Sequence, residues 1–240
     1  MRPLTPEELM DLLQRALEEG LATQIYQAAS VSDVDVLEDC RLKGHVVLKL
    51  EDLHAIPTDK LDEVAADYLK HYKNLGAVAG LAWGTGGILT AAPEMVQLLI
   101  TVVRMAQRLS LTYGLEFESF KGNLELWEAI GDAFGVKVEM EGVEQDILRN
   151  LPAPLLRGGL RDPLVLKIAS GVLSAGAWMF VKRWLRFIPL FSLGVSTYGN
   201  YRLIKRLGLS LQRNFRRRHE LLYAVAAPPP TDIHFYRVRE

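Results

Sequence analysis

"LGAVAGLAWGTGGILTAAPEMVQLLI", residues 75–100, decides how the chain is read. Its first 19 residues, Leu75 to Pro93, carry no charge. Gly76, Gly80 and Gly84 recur every four residues within it, with Gly87 close behind. Such a repeat lines one face of a helix and lets a second backbone approach closely. It is no phosphate loop, because a Walker loop closes on Gly-Lys-Ser/Thr after a strand and no lysine follows GTGG. The dinucleotide fingerprint also needs a strand before its glycines, and here a helical pattern precedes them. The spacing predicts a close-packing helix that breaks at Pro93 and a second one that starts there, with Glu94 in its first turn. Met95, Leu98, Leu99, Val102, Met105, Ala106 and Leu109 give the second helix a wide apolar face. Gln97, Thr101, Arg104 and Arg108 form a narrower polar stripe, and Gly114 after Tyr113 can end the helix.

The flanking sequence is also mostly helical in pattern. Thr5 reads as an N-cap, with Pro6 at the first helical position and Glu8 completing a capping box. Gly20 is a plausible stop for that helix. The acids Asp33, Asp35, Glu38 and Asp39 fit a capped turn entering a short helix better than a calcium loop, which lacks its Gly and Glu here. Leu61, Val64, Ala65, Tyr68, Leu69 and Tyr72 share one helical face, as do Phe120, Leu124, Trp127, Ile130 and Phe134. Two short alternating stretches, HVVLKLEDL at 45–53 and GVKVEMEGV at 135–143, are the candidate strands. The expectation is an all-α fold: a Gly-rich helical domain with an apolar C-terminal helical pair and at most one small β-hairpin. Residues 1–57 form an N-terminal helical extension, 58–222 the main domain and 223–240 an irregular tail introduced by APPPTD.

Charge is the main global signal. The 240 residues sum to −1, but residues 1–150 hold 13 Lys+Arg against 25 Asp+Glu, and residues 151–240 hold 15 against 4. The halves therefore carry −12 and +11, so the basic half is expected to meet something anionic. That is the chain's own acidic half, a lipid surface or nucleic acid. No nucleic-acid-binding motif surrounds Arg213 or Arg216–Arg218, and a polybasic face beside apolar helices fits anionic lipid better. Lys182, Arg183 and Arg186 sit in the corner between two apolar runs, with Trp178, Trp184 and Phe187 beside them. Together with Arg216, Arg217 and Arg218 they form the candidate membrane-surface site.

The runs themselves are short. Ile168–Val181 is uncharged for 14 residues and Phe187–Tyr201 for 15, against about 20 for a spanning helix. Those lengths suit core helices or helices lying in a membrane interface. Mean hydropathy near zero argues against a multi-span protein. The single cysteine, Cys40, fits a reducing compartment, and the N-terminus lacks the order of a signal peptide.

Signals for chemistry are few. The five histidines show no metal-ligand spacing, no Gly-x-Ser-x-Gly elbow appears, and Cys40 has no partner base nearby. No metal or cofactor is implied. Glu94 either complements a helix start or is a carboxylate in apolar surroundings facing a ligand. Asn200, between Gly199 and Tyr201 in an uncharged run, either caps or bridges helices or joins a site. Glu94, Tyr113 and Asn200 would converge in a candidate ligand pocket if the protein were an enzyme acting on a lipid or other amphiphile.

Two stretches, together with their order and spacing over roughly residues 60–210, carry a family resemblance. GLAWGTGGILTAAPEMVQLLITVVRMAQRLSLTYG, residues 80–114, resembles the glycine-rich run of the bacterial EcsC protein family, which leads through an acid into a long helix closing on Tyr-Gly. FIPLFSLGVSTYGNYRLIKRLG, residues 187–208, resembles that family's Ile-Pro segment with spaced glycines and an Asn. Glu94 departs from the family's usual Asp, and Leu190–Leu193 hold less glycine than is usual after the Ile-Pro pair. The resemblance implies a cytosol-facing, helical, membrane-associated protein; the family's founding member is encoded beside the components of an ABC transporter. It supplies no reaction. The expected function is that of a non-enzymatic accessory protein, peripheral to the inner face of the cell membrane, with anionic lipid and a membrane protein such as a transporter as partners.

Overall fold

The computed structural model describes residues 5–83, 88–136, 162–185 and 193–223. The protein is all-α. Helix α1 is Pro6–Ala16, and the Thr5 hydroxyl accepts from the Glu8 N–H while the Glu8 carboxylate accepts from the Thr5 N–H. A π-turn at Leu17–Leu21 follows, in which Gly20 takes a φ of 126° and redirects the chain into α2, Ala22–Ala29. Helix α3, Asp33–Leu42, is capped by Ser32 and carries Asp33 and Asp35 in its first turn, where carboxylates complement the helix dipole. After a 3₁₀ turn at Leu50–Ala55 come α4, Thr58–Trp83, and α5, Ile88–Thr112. Helix α6, Phe120–Phe134, runs from the Ser119 cap to Gly135 in the left-handed region. Helices α7, Pro163–Leu185, and α8, Leu193–Tyr223, complete the described chain.

Helix α5 is the axis of the molecule. It packs against α2, α3, α4, α6, α7 and α8, which buries its wide apolar face except for the half-buried Leu98. Leu99, Val102, Met105, Ala106 and Leu109 belong to one continuous core that also takes Leu17 and Ile25 from the N-terminal elements and Phe215 from α8. The most extensive pairing is α4 with α8. Small residues permit it: a Cβ on Gly76 would lie 2.9 Å from Ile204 Cγ1, and one on Gly208 would collide with Leu69 and sit 3.1 Å from Met105 Sδ. Gly76 thus serves the close packing its repeat predicts, whereas the side-chain surroundings of Gly80 and the positions of Gly84 and Gly87 lie outside the described residues. On the other side, Gly176 lets α7 approach Phe134 of α6, whose ring meets Phe180 edge-on at 6.1 Å.

Two expectations are corrected. Helix α5 starts at Ile88, so Pro93 and Glu94 are its sixth and seventh residues and Glu94 does not open the helix. Proline removes one N–H from the ladder, and that loss is outweighed where the rest of the turn packs well. The stretch 45–53 is not a strand either. Val47 is buried and its neighbours Val46 and Leu48 are exposed, so the period-two alternation is real. No strand lies beside it among the described residues, and the chain turns instead into Leu50–Ala55, where Asp52 accepts from the Leu48 and Lys49 N–H groups at 2.7 and 3.0 Å. Residues 137–143 of the second candidate strand lie outside the described residues. Within α7, Pro163–Val181 is long and apolar enough to cross a membrane, yet half of it is buried inside the bundle.

Candidate functional site

The acidic and basic halves meet along α8. Its inner face, with Ile204, Leu207, Leu211, Phe215 and His219, is buried, and three or four residues apart on the opposite side the chain is basic. Near its end, α8 is stitched to its neighbours. The Arg216 guanidinium donates to Asp62 of α4 and, through Nε at 2.9 Å, to Glu220 one turn on. Thr58 and Gln212 add bonds to Glu220 and Asp62 at 3.4 and 3.3 Å. Arg218 pairs with Glu128 and, at 3.2 Å, with Glu125 of α6, while Asn214 donates to Asp132. The neighbouring guanidinium holds Glu220 below the usual carboxylate range, and the two acids raise Arg216 further.

Tyr113, the last residue before the Gly114 turn, completes this node. It is fully buried, and its hydroxyl donates to the same Asp62 carboxylate. Burial, and then that bond to Asp62, push the phenol far above its ordinary pKa, so it stays a protonated donor. Two histidines close the end of the bundle. His219 Nδ1 donates to the Tyr113 carbonyl at 2.8 Å, and His54 Nε2 donates to the Gly114 carbonyl at 2.9 Å. They satisfy carbonyls that α5 leaves open at its C-terminus. Tyr223 stacks on His54 at 3.7 Å between ring centres and meets His219 edge-on at 5.1 Å. Gly114 has a φ of 69°, and a Cβ there would lie 2.6 Å from His54 Cδ2, so glycine is required twice over. This node is built as a clasp: its donors and acceptors face one another.

Two residues of the predicted ligand pocket, Tyr113 and Asn200, do not meet. Asn200 lies beside Gly76, whose Cβ would be 3.8 Å from the Asn200 carbonyl oxygen, while Tyr113 reaches α8 near Gln212. Twelve residues of helix, about 18 Å, separate those two points of α8. The side chain of Glu94 lies outside the described residues. Of the predicted membrane-surface group, Arg216 and Arg218 are engaged internally, and Arg217 and Trp178 are exposed. The side chains of Lys182, Arg183, Arg186, Trp184 and Phe187 lie outside the described residues. The exposed face of α8 instead carries Arg202, Lys205, Arg206, Arg213 and Arg217, with Leu209 among them. Glu220 is the only acid in the helix, and it is held by Arg216.

A second polar cluster lies along α5. Arg104 donates to the Ala28 carbonyl, Arg108 lies 5.1 Å from the Tyr68 ring centre, and Asn123 of α6 bonds Tyr26 and the Phe117 carbonyl. Gln107 is fully buried there, and neither of its amide atoms has a hydrogen-bond partner among the described residues. Among the described residues, no three His, Cys, Asp or Glu side chains come together in a way that could hold a metal.

The family model described as the EcsC protein family matches residues 1–219, nearly the whole chain. The chain belongs to the EcsC protein family. The EcsC match begins at residue 1 and ends at His219, so it takes in the basic face of α8 and most of the clasp but stops short of Glu220 and Tyr223. The chain is also similar to "Uncharacterized protein YdbA" of Bacillus subtilis (strain 168), at 26% identity over 116 residues. That match spans 47% of this chain and 43% of the relative, so the chain covers less than half of the relative's length. No solved structure matches. For this EcsC protein the residues that sequence reasoning missed are Asp62, Gln212, Glu220, His54 and His219. Each makes its contact across 51 to 162 residues of chain or within an unremarkable helical turn, and no local spacing signals it.

Proposed function

We propose that this EcsC protein is a non-catalytic accessory protein that docks on the anionic inner surface of a bacterial membrane, where it serves a membrane-protein partner such as a transporter. The observation that carries this reading is the outward face of α8. Four cations, Lys205, Arg206, Arg213 and Arg217, lie there with an exposed Leu209 between them and no acid of α8 among them. The helix is anchored by its buried apolar face and by the Asp62–Arg216 and Glu125–Arg218 pairs, so the cations are presented on a rigid rod. Each basic residue near an anionic leaflet contributes ~1 kcal/mol, so these cations supply on the order of 4 kcal/mol before salt screening. That suits reversible, peripheral binding.

Flotation with phosphatidylglycerol and phosphatidylcholine vesicles tests the proposal. The protein is expected to float with the anionic vesicles, to be released by salt, and to lose binding in the variant Lys205→Glu/Arg206→Glu/Arg213→Glu/Arg217→Glu. Equal absence from both floating fractions overturns the reading. Capture by duplex DNA in preference to the vesicles would replace lipid with nucleic acid as the partner.

A further inference from the structure

The polar stripe of α5 takes no part in the clasp or in the basic face of α8. Arg104 and Arg108 stand about one turn apart on it, both half-buried, in a helix otherwise seated in the core. Like charges at that spacing repel each other, the more so where burial removes solvent. Neither charge is neutralised. Arg104 donates to the Ala28 carbonyl near the end of α2 and Arg108 lies over the Tyr68 ring, but no carboxylate pairs with either among the described residues. The Nε atoms of both are buried without a hydrogen-bond partner among the described residues, as is the amide nitrogen of Gln107 beside them on the helix. This corner of the molecule therefore holds more N–H donors than acceptors.

The neighbouring elements do not redress the balance. Asp39 of α3 gives its carboxylate to the Tyr68 hydroxyl and forms no ion pair with either arginine, and Asp33, Asp35 and Glu38 are exposed. Helix α2 carries no charged side chain, and His71 of α4 meets Tyr72 edge-on at 5.3 Å. Tyr72 itself is 2% exposed, and its hydroxyl has no hydrogen-bond partner among the described residues. Burial raises its pKa, and Arg108 and then Arg104 act against that rise. Both guanidiniums thus lie within electrostatic reach of one phenol, which stays a protonated donor.

We propose that Arg104, Arg108 and the Tyr72 hydroxyl form a binding site for a phosphate group, carried by a small phosphorylated molecule or by the headgroup of an anionic lipid. A planar guanidinium donates in a fork that fits two phosphate oxygens. Two such forks and a hydroxyl offer more donors than the two oxygens of a carboxylate can use, and a phosphate has oxygens for all of them. The half-buried setting leaves the guanidinium ends reachable from solvent while it keeps their inner N–H groups out of it. The site is built from α4 and α5 and shares no residue with the exposed face of α8, so the inference stands apart from the membrane-surface reading.

Thermal melts of the full chain at neutral pH and constant ionic strength test it, with inorganic phosphate or dihexanoyl phosphatidic acid replacing chloride. The melting temperature is expected to rise saturably with phosphate. Arg104→Gln and Arg108→Gln are each expected to weaken the apparent affinity about tenfold or more, each read against its own melt in chloride. The variant Lys205→Glu/Arg206→Glu/Arg213→Glu/Arg217→Glu should respond as wild type does. In nuclear magnetic resonance spectra of the wild-type protein, the Nε–H signals of Arg104 and Arg108 should move together along the same titration, which decides the matter if a variant fails to fold. A rise with both probes assigns the site to the phosphate group itself, and a rise with phosphatidic acid alone assigns it to a lipid headgroup. No rise with either probe, a full response in both arginine variants, or loss of the response only in the α8 variant overturns the site.

Discussion

The Tyr113 hydroxyl and the Arg216 guanidinium share one acceptor, the Asp62 carboxylate, and so lock the end of α5 and the end of α8 onto the second turn of α4. Removing Asp62 as Asp62→Ala leaves the buried phenol without an acceptor and is expected to cost about 1–3 kcal/mol. Tyr113→Phe removes only the donor and is expected to cost about 1 kcal/mol. Since the two share one bond, the double variant should lose less than the sum. Urea unfolding of the four proteins reads this directly, and strict additivity would show that the pair is not coupled.

His219 makes stability depend on pH. Burial, and to a lesser degree the nearby His54, lower its pKa below 6.5, while the bond to the Tyr113 carbonyl acts the other way. The folded protein therefore takes up the proton less readily than the unfolded chain. The associated stability is complete above pH 6.5 and is lost as pH falls from there toward the lower folded value. Melting curves between neutral and mildly acid pH should show this slope, and His219→Gln should flatten it in that window. A wild-type slope retained by the variant would assign it to other groups.

Glycines on α7 and α8 should respond in opposite directions. Gly208→Ala drives a methyl group into Leu69 and against Met105, and an expected cost of about 1–3 kcal/mol follows from overpacking. Gly171 sits in α7 with nothing within 4 Å of a Cβ, so Gly171→Ala should stabilise by about 0.5–1 kcal/mol through helix propensity. Thermal melts of the two variants compare them under one condition; shifts of the same sign would contradict the α4–α8 packing.

Adjacent arginines should separate folding from docking. Arg218→Ala breaks bonds to Glu125, Glu128 and Asn214 and is expected to lower the melting temperature. Arg217→Ala touches an exposed cation and should leave folding stability within about 0.5 kcal/mol of wild type while weakening binding to anionic vesicles. Circular dichroism melts paired with flotation distinguish the two, and a reversed pattern would argue against α8 as the docking face.

What the sequence conveyed well was local. The Thr5–Glu8 box, the capped turn that enters α3 and the Gly114 exit from α5 are each settled within four residues, so their spacing alone carries the signal. The continuous apolar stripe of α5 likewise announced a helix with neighbours on several sides. Pro93 misled because a proline marks a helix start only when nothing upstream can pack, and residues 88–92 do continue the helix. Alternation at 45–48 misled because burying one residue of an extended segment exposes the next whether or not a partner strand exists. The charge asymmetry was legible as a total, but its division was not. Arg216 and Arg218 turn inward and Arg217 turns out because successive residues of a helix lie about 100° apart and only the neighbours' acids decide which are met.

The α4–α8 pairing also bears on how the protein is made. Asp62 waits for Gln212, 150 residues later, and at ribosomal speeds of about 5–20 residues per second that delay is roughly 8–30 s. During that interval the glycine-lined side of α4 has no α8 to cover it. The emerging chain is thus a client for whatever shields apolar helices at the ribosome exit, and a stop codon before α8 would yield an aggregation-prone fragment, not a smaller domain.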